Sequence, residues 1–201
     1  MAADIPQIYP VRFNPDEIWT AIDGTDDSNG LTANAVSFPE APVELLFASG
    51  AGGWGNLLIL QPDGSFTGNY SDSEMRLDGP DYPNGTYYVS VFEGTFADIQ
   101  QISDYSWSMK LEALSTEKKP EETWIEGDVR YIASESYGVA GGEEFILYSP
   151  GTPADELPGE CRSWWPDEFL WRNGEQEQLE GWALCNLNTG EAFFSDWLRD
   201  E

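Results

Sequence analysis

The sequence predicts an all-β domain, an up-and-down antiparallel barrel of about eight or nine strands with one or two short helices, with a β-sandwich as the alternative. Three observations lead there. Short segments alternating apolar and polar side chains recur along the chain. Clusters of Pro, Asn, Asp and Gly separate them at hairpin spacing. The aromatic load is heavy, with 9 Trp, 9 Tyr and 10 Phe in 201 residues, and it is spread along the chain as a folded interior requires. Successive strands join locally, which favours a barrel over a sandwich, and no repeat of fixed period suggests a propeller or solenoid.

Residues 1–42 are rich in Asp, Asn, Pro and Gly without sustained period, and read as an irregular wrapping segment or linker from which Trp19, Ile22 and Phe38 can dock on a core. The barrel domain is expected over residues 43–201. It begins with strands at 43–48 and 54–60, joined by the glycine-rich corner at 50–53. Gln61-Pro62-Asp63-Gly64 is a tight turn, with Pro presetting φ and Gly accepting positive φ. Residues 65–70 then alternate Phe66, Gly68 and Tyr70 against Ser65, Thr67 and Asn69, which predicts a hairpin with one wet face.

A turn cluster at 78–85 leads into a strand at 86–96 carrying Tyr88, Phe92 and Phe96, with a bend at Gly94. Residues 105–111 alternate most clearly, placing Tyr105, Trp107, Met109 and Leu111 inward. After a charged loop at 116–122, residues 124–133 read as one strand, although a short helix fits 129–136 nearly as well. Another strand is expected at 143–148. Thr152-Pro153-Ala154-Asp155-Glu156 starts a helix that Pro158 stops, 165–171 offers a second helical turn, and 179–186 with 191–195 reads as a closing hairpin.

Charge narrows the partners. The chain has 37 Asp and Glu against 9 Lys and Arg, a formal charge of −28, so its field repels phosphate backbones and anionic lipid surfaces. Nucleic acid is therefore an unexpected partner. The acidity suits a solvated surface, high-salt adaptation or cation binding. No apolar run approaches the roughly 20 residues of a membrane-spanning helix. The start Met1-Ala2-Ala3-Asp4 lacks a signal-peptide pattern, as it would if a signal or lipoprotein leader had been trimmed.

Histidine is absent, which excludes His-dependent triads, the usual catalytic zinc sites and imidazole acid–base chemistry. No nucleophile elbow, phosphate-cradling loop or dinucleotide fingerprint is present. No cofactor or metal is expected; the alternating oxygens of Asp23, Thr25 and Asp27 lack the Gly and closing Glu of a calcium loop. Cys161 and Cys185, the only cysteines, either pair with each other or remain two buried apolar thiols. A two-carboxylate hydrolase would draw on Glu93, Glu112 or Glu180, each of which reads more simply as an outward strand residue. Trp164, Trp165, Trp171, Tyr82, Tyr87 and Tyr88 are the aromatics least explained by alternation, and are the candidate ligand contacts, with the capping of barrel ends as the simpler role.

Gly52-Gly53-Trp54, followed by Asn56-Leu57-Leu58-Ile59-Leu60 and Pro62-Asp63-Gly64-Ser65-Phe66, resembles the opening hairpin of lipocalin-like (calycin) barrels. The resemblance implies that Trp54, introduced by Gly52, plugs the barrel's closed end, with Arg130 or Arg199 as the cation that would stack on it. A broader set of phrases between about Phe47 and Trp165, including Tyr82-Pro83-Asn84-Gly85-Thr86, Asp104-Tyr105-Ser106-Trp107 and Leu157-Pro158, is similar to uncharacterised domains of secreted lipoproteins from Gram-positive gut bacteria. That similarity implies an extracellular or cell-surface home, with a lipid anchor supplied by a leader outside this chain, and transfers no catalytic residue. The resulting expectation is a non-enzymatic binding or cell-surface domain, whose ligand is a small hydrophobic molecule or, alternatively, a carbohydrate held by exposed Trp and Tyr. A carboxylate-dependent glycoside hydrolase is the second alternative.

Overall fold

A computed structural model of the chain describes residues 38–49, 53–74 and 76–198. The expectations for Trp19, Ile22, the Asp23–Asp27 loop, Gly52 and Arg199 lie outside the described residues. All described residues belong to one compact unit, Ala35–Glu201. Phe38, at its start, packs edge-on against Trp107 at 6.1 Å.

Eight strands close into an antiparallel barrel. Around the ring they run β3 (Ser65–Glu74), β2 (Trp54–Leu60), β1 (Val43–Ala48), β10 (Ala192–Phe194), β9 (Ala183–Asn186), β8 (Glu144–Tyr148), β5 (Ser106–Thr116) and β4 (Thr86–Ser103), and the β3–β4 pairing completes the circle. Ring neighbours follow one another along the chain, apart from the β1–β10 pairing that joins its two ends and the step from β5 to β8, where an excursion interrupts the up-and-down order. That excursion supplies β6 (Thr123–Glu126) and β7 (Val129–Ala133), which stand outside the ring. β7 pairs in parallel with the first residues of β4, from Thr86 opposite Arg130 to Val89 opposite Ala133.

The turn at 61–64 forms as its residues dictate, with Gly64 at φ 85° and the Asp63 carboxylate accepting from the Ser65 amide at 2.9 Å. Residues 124–133, expected as one strand, are instead a hairpin. Gly127 and Asp128 both take positive φ, at 57° and 63°, the two-residue turn whose twist matches the flanking strands. β4 runs seven residues past Phe96 to Ser103 and bends through register shifts against β5. Along the edge away from β3, this one long strand serves two partners in turn, β7 over Thr86–Val89 and β5 from Phe92 to Ser103.

Inside the ring, Leu45, Phe47, Leu58, Leu60, Phe66, Phe92, Phe96, Trp107, Met109, Phe145, Leu147, Leu184 and Phe193 form one buried cluster. The outer face of β8, β9 and β10 is covered too, by a thin layer that carries a 3-10 turn (Ala154–Glu156) and two short helices, α1 (Gly159–Arg162) and α2 (Glu168–Arg172). Tyr148, Leu157, Cys161, Trp165, Leu179, Cys185 and Phe194 form a second cluster there. With both faces buried, β9 and β10 have no exposed residue, which removes the alternation that marks a half-wet strand.

Candidate functional site

The barrel interior changes character along its axis, and the register of β2, β3 and β4 gives the order. Inward side chains line up in cross-strand rows: Leu60–Phe66–Gly94, then Leu58–Gly68–Phe92, then Asn56–Tyr70–Ser90, then Trp54–Asp72–Tyr88. The first two rows are apolar and interlocked. A Cβ on Gly68 would lie 2.3 Å from Cζ of Phe92, and one on Gly94 would lie 2.4 Å from Cζ of Phe66. Each ring therefore occupies the volume that its cross-strand glycine leaves open. Together with Phe96, Trp107, Met109 and Phe145 they fill this half of the barrel.

The last two rows are polar and aromatic, and they form the candidate site. Asn56 is fully buried, and its Nδ2 donates to the Tyr137 carbonyl. Its Oδ1 and the Oγ of buried Ser90 find no hydrogen-bond partner among the described residues. Above them Trp54, Tyr70, Tyr137, Trp164 and Phe47 make an aromatic cluster. Trp54 stands edge-on to Phe47 at 4.9 Å, to Tyr137 at 5.3 Å and to Trp164 at 6.2 Å, and Tyr70 meets Tyr137 at 5.7 Å. Tyr137 is 43% exposed, so the cluster reaches the surface.

Tyr137 is presented by the loop between β7 and β8, and buried amides pin that loop. Asn56 holds the Tyr137 carbonyl, and Asn186 on β9 donates to the Gly138 carbonyl at 3.1 Å. Gly138 has φ 86°, and a Cβ there would meet Phe47 and Phe193 at 2.8 and 2.9 Å, so only glycine lets the loop approach so closely. Burial pushes the Tyr70 hydroxyl up to about 12, with the Asp72 carboxylate adding to the effect. Burial likewise raises Tyr137, assisted by Glu191. Both phenols stay protonated at neutral pH and remain donors. The arrangement thus combines aromatic faces, phenolic donors, an amide oxygen, a hydroxyl and a carboxylate at one end of a rigid barrel.

The structure distributes the six aromatics singled out from sequence among four places. Trp164 and Tyr88 lie at the polar end. Trp165 is buried in the outer layer, where its Nε1 donates to Asp196 Oδ2 at 2.9 Å. Trp171 lies under the Arg162 guanidinium at 4.0 Å. Tyr82 carries the Arg130 guanidinium at 4.5 Å and accepts from its Nη1 at 3.0 Å. Arg130 is therefore the stacking partner of Tyr82 and not of Trp54. Tyr87 lies on the outer face, 6.0 Å from Tyr131, which in turn stacks on Trp124 at 5.3 Å.

Trp54 sits at a barrel end, half-buried in the aromatic cluster. Asn56, Tyr70, Asp72, Ser90 and Tyr137 are not among the ligand contacts that the sequence suggests. Asn56 carried one signal, an amide at the inward position two residues before Leu58 and four before Leu60. Glu93, Glu112 and Glu180 are all exposed, and Glu112 accepts from Thr95 Oγ1 across a long 3.5 Å. Cys161 and Cys185 are buried free thiols. A separate recess of about 120 Å³ opens on the outer face, floored by Val89, Val91 and Ala133 and walled by Trp124, over whose ring Lys118 Nζ lies at 4.9 Å. It is smaller than the roughly 300 Å³ at which ligand pockets usually begin. No family model matches the chain, and neither a curated protein nor a solved structure matches it.

Proposed function

We propose that the chain is a non-enzymatic binding domain that works outside the cytoplasm and takes a carbohydrate at the polar end of its barrel. One observation carries this reading. Asn56 Oδ1 and Ser90 Oγ flank Tyr70 in a single cross-strand row, buried and without partners among the described residues, directly beneath a partly exposed aromatic cluster. Unpaired buried oxygens are costly, about 1–3 kcal/mol each, and are retained where a water or ligand completes them. A sugar ring has the matching chemistry, with an apolar face for an indole or phenol and hydroxyls for an amide, a serine and a carboxylate.

The carrier of a small hydrophobic molecule is the weaker reading, because the apolar half of the barrel is occupied by the protein's own rings. A lipocalin-like ancestry, supported by the opening hairpin's phrasing and the closed eight-stranded ring, and a lipid-anchored, cell-surface setting, supported by the broader similarity between about Phe47 and Trp165, remain part of the proposal. The test is calorimetric titration with a panel of neutral mono- and oligosaccharides on the native protein and on Ser90→Ala and Tyr137→Ala. Saturable binding that weakens about 5–30-fold in each variant is expected, the loss of one hydrogen bond or one aromatic contact. Absence of binding across the panel, together with stoichiometric uptake of a fatty acid or retinoid, would overturn it.

A further inference from the structure

We propose that Cys161 and Cys185 close into an intramolecular disulfide that staples the short-helix layer to the barrel wall. On β9, Leu184 points into the barrel core, whereas Cys185 points outward, between its cross-strand partners Ala192 on β10 and Ile146 on β8. Cys161, on α1, lies over the same spot. Its Sγ donates to the carbonyl of Glu191, the residue before Ala192, at 3.9 Å. Both side chains belong to one buried cluster, and they are the chain's only cysteines. Their proximity is also felt electrostatically, since the Cys161 thiol adds to the upward pull that burial exerts on Cys185.

The layer that α1 belongs to is where a covalent tie has most effect. Its helices are four and five residues long, and neither has a side-chain cap at its N-terminus. Helices this short are unstable alone, so the layer depends on what it packs against. Arg162 supplies part of that hold, donating from Nη1 to the carbonyls of Ala154 at 3.1 Å and Leu157 at 3.4 Å. A bond between α1 and β9 would anchor the layer to a strand at the centre of the wall.

The reaction is thiol–disulfide exchange with an external disulfide such as oxidised glutathione. Cys161 sits on the thin layer and Cys185 on a central strand, so Cys161 is reached first when the layer lifts. Its thiolate attacks one sulfur of the external disulfide, forming a mixed disulfide and releasing one thiolate. Cys185, deprotonated while the layer is still lifted, then attacks the Cys161 sulfur and expels the second thiolate. Two protein thiols are oxidised, one external disulfide is reduced to two thiols, and the two protons pass to the released thiolates.

This inference stands whether or not the barrel end binds sugar. The experiment is refolding of the full chain from denaturant in a glutathione redox buffer, which gives both thiols equal access to the oxidant. The native product is then examined by intact mass, by thiol titration after denaturation and by peptide mapping. The expected result is a monomer two hydrogens lighter, with no titratable thiol and a Cys161–Cys185 cross-linked peptide. Its melting temperature should exceed that of the reduced protein by roughly 5–10 °C, the gain from closing a loop of this length, while Cys161→Ala/Cys185→Ala shows no redox-dependent shift. A native product that retains two free thiols, carries glutathione adducts or cross-links between chains would overturn the proposal.

Discussion

Gly94→Ala tests most sharply whether the apolar half of the barrel is full. The added methyl would sit 2.4 Å from the Ala113 carbonyl oxygen and 2.4 Å from Cζ of Phe66, against an ordinary carbon–carbon contact of about 3.5–4.0 Å. The carbonyl cannot retreat without disturbing the β4–β5 ladder, in which Thr95 faces Ala113 and Gly94 faces Leu114. The ring cannot retreat easily either, because Phe96 packs on Phe66 at 4.7 Å and Phe92 at 6.4 Å. Overpacking of this kind costs about 1–3 kcal/mol, and a clash with fixed backbone belongs at the upper end. Urea denaturation should show that loss, with a melting temperature lower by roughly 4–10 °C. Gly159→Ala, where an added Cβ meets nothing within 4 Å, serves as the neutral control. Adding Phe66→Leu to Gly94→Ala should recover part of the loss, because it removes one of the two obstructions. A Gly94→Ala protein within about 0.5 kcal/mol of the parent would mean that the interior has room to spare, and the case against a hydrophobic cargo would fall with it.

Trp54→Ala removes an indole that touches Phe47, Tyr137 and Trp164, and should destabilise the fold by about 2–4 kcal/mol in chemical denaturation; a loss below about 1 kcal/mol would end its assignment as the barrel-end plug. Alkaline titration of tyrosine absorbance should show Tyr70 ionising near 12 rather than near its ordinary 10.0. Because the folded pKa lies above the unfolded one, this contribution to stability is complete below pH 10 and fades as the pH rises towards 12, and Tyr70→Phe should flatten that part of the profile. Arg162→Ala should loosen the outer layer, seen as earlier proteolytic cleavage between 149 and 182 and a loss of about 1–3 kcal/mol. Arg162→Lys should restore little, since a lysine lacks the planar group that both stacks on Trp171 and reaches two carbonyls.

Much of the barrel could be read from single strands, because most of its wall alternates. Residues 65–70 announce an inward Phe66, Gly68 and Tyr70, and 107–109 an inward Trp107 and Met109, since the register of one strand with itself is enough. The hairpin at 123–133 was hidden for a local reason: Gly127-Asp128 reverses the usual Asp-Gly order, and the strands on either side are four and five residues long. β9 and β10 carried little periodicity because a second layer buries their outer faces. The candidate site was the least legible part. Asn56, Tyr70 and Ser90 are each ordinary on their own strand, and they become a site only when the pairing of three strands sets them side by side. Trp165 and Trp171, conspicuous in sequence, instead serve the thin outer layer, one bonded to Asp196 and the other covered by Arg162.

The central claim is that ligand meets the protein at the polar end of the barrel and not within its apolar half. Two-dimensional NMR of the nine tryptophan indole N–H groups reports on both regions at once. Titration with the tightest-binding sugar of the panel should shift the Trp54 and Trp164 resonances and leave Trp107, deep in the barrel, and Trp165, in the outer layer, where they were. Shifts centred on Trp107, or saturable binding that moves neither Trp54 nor Trp164, would contradict the account.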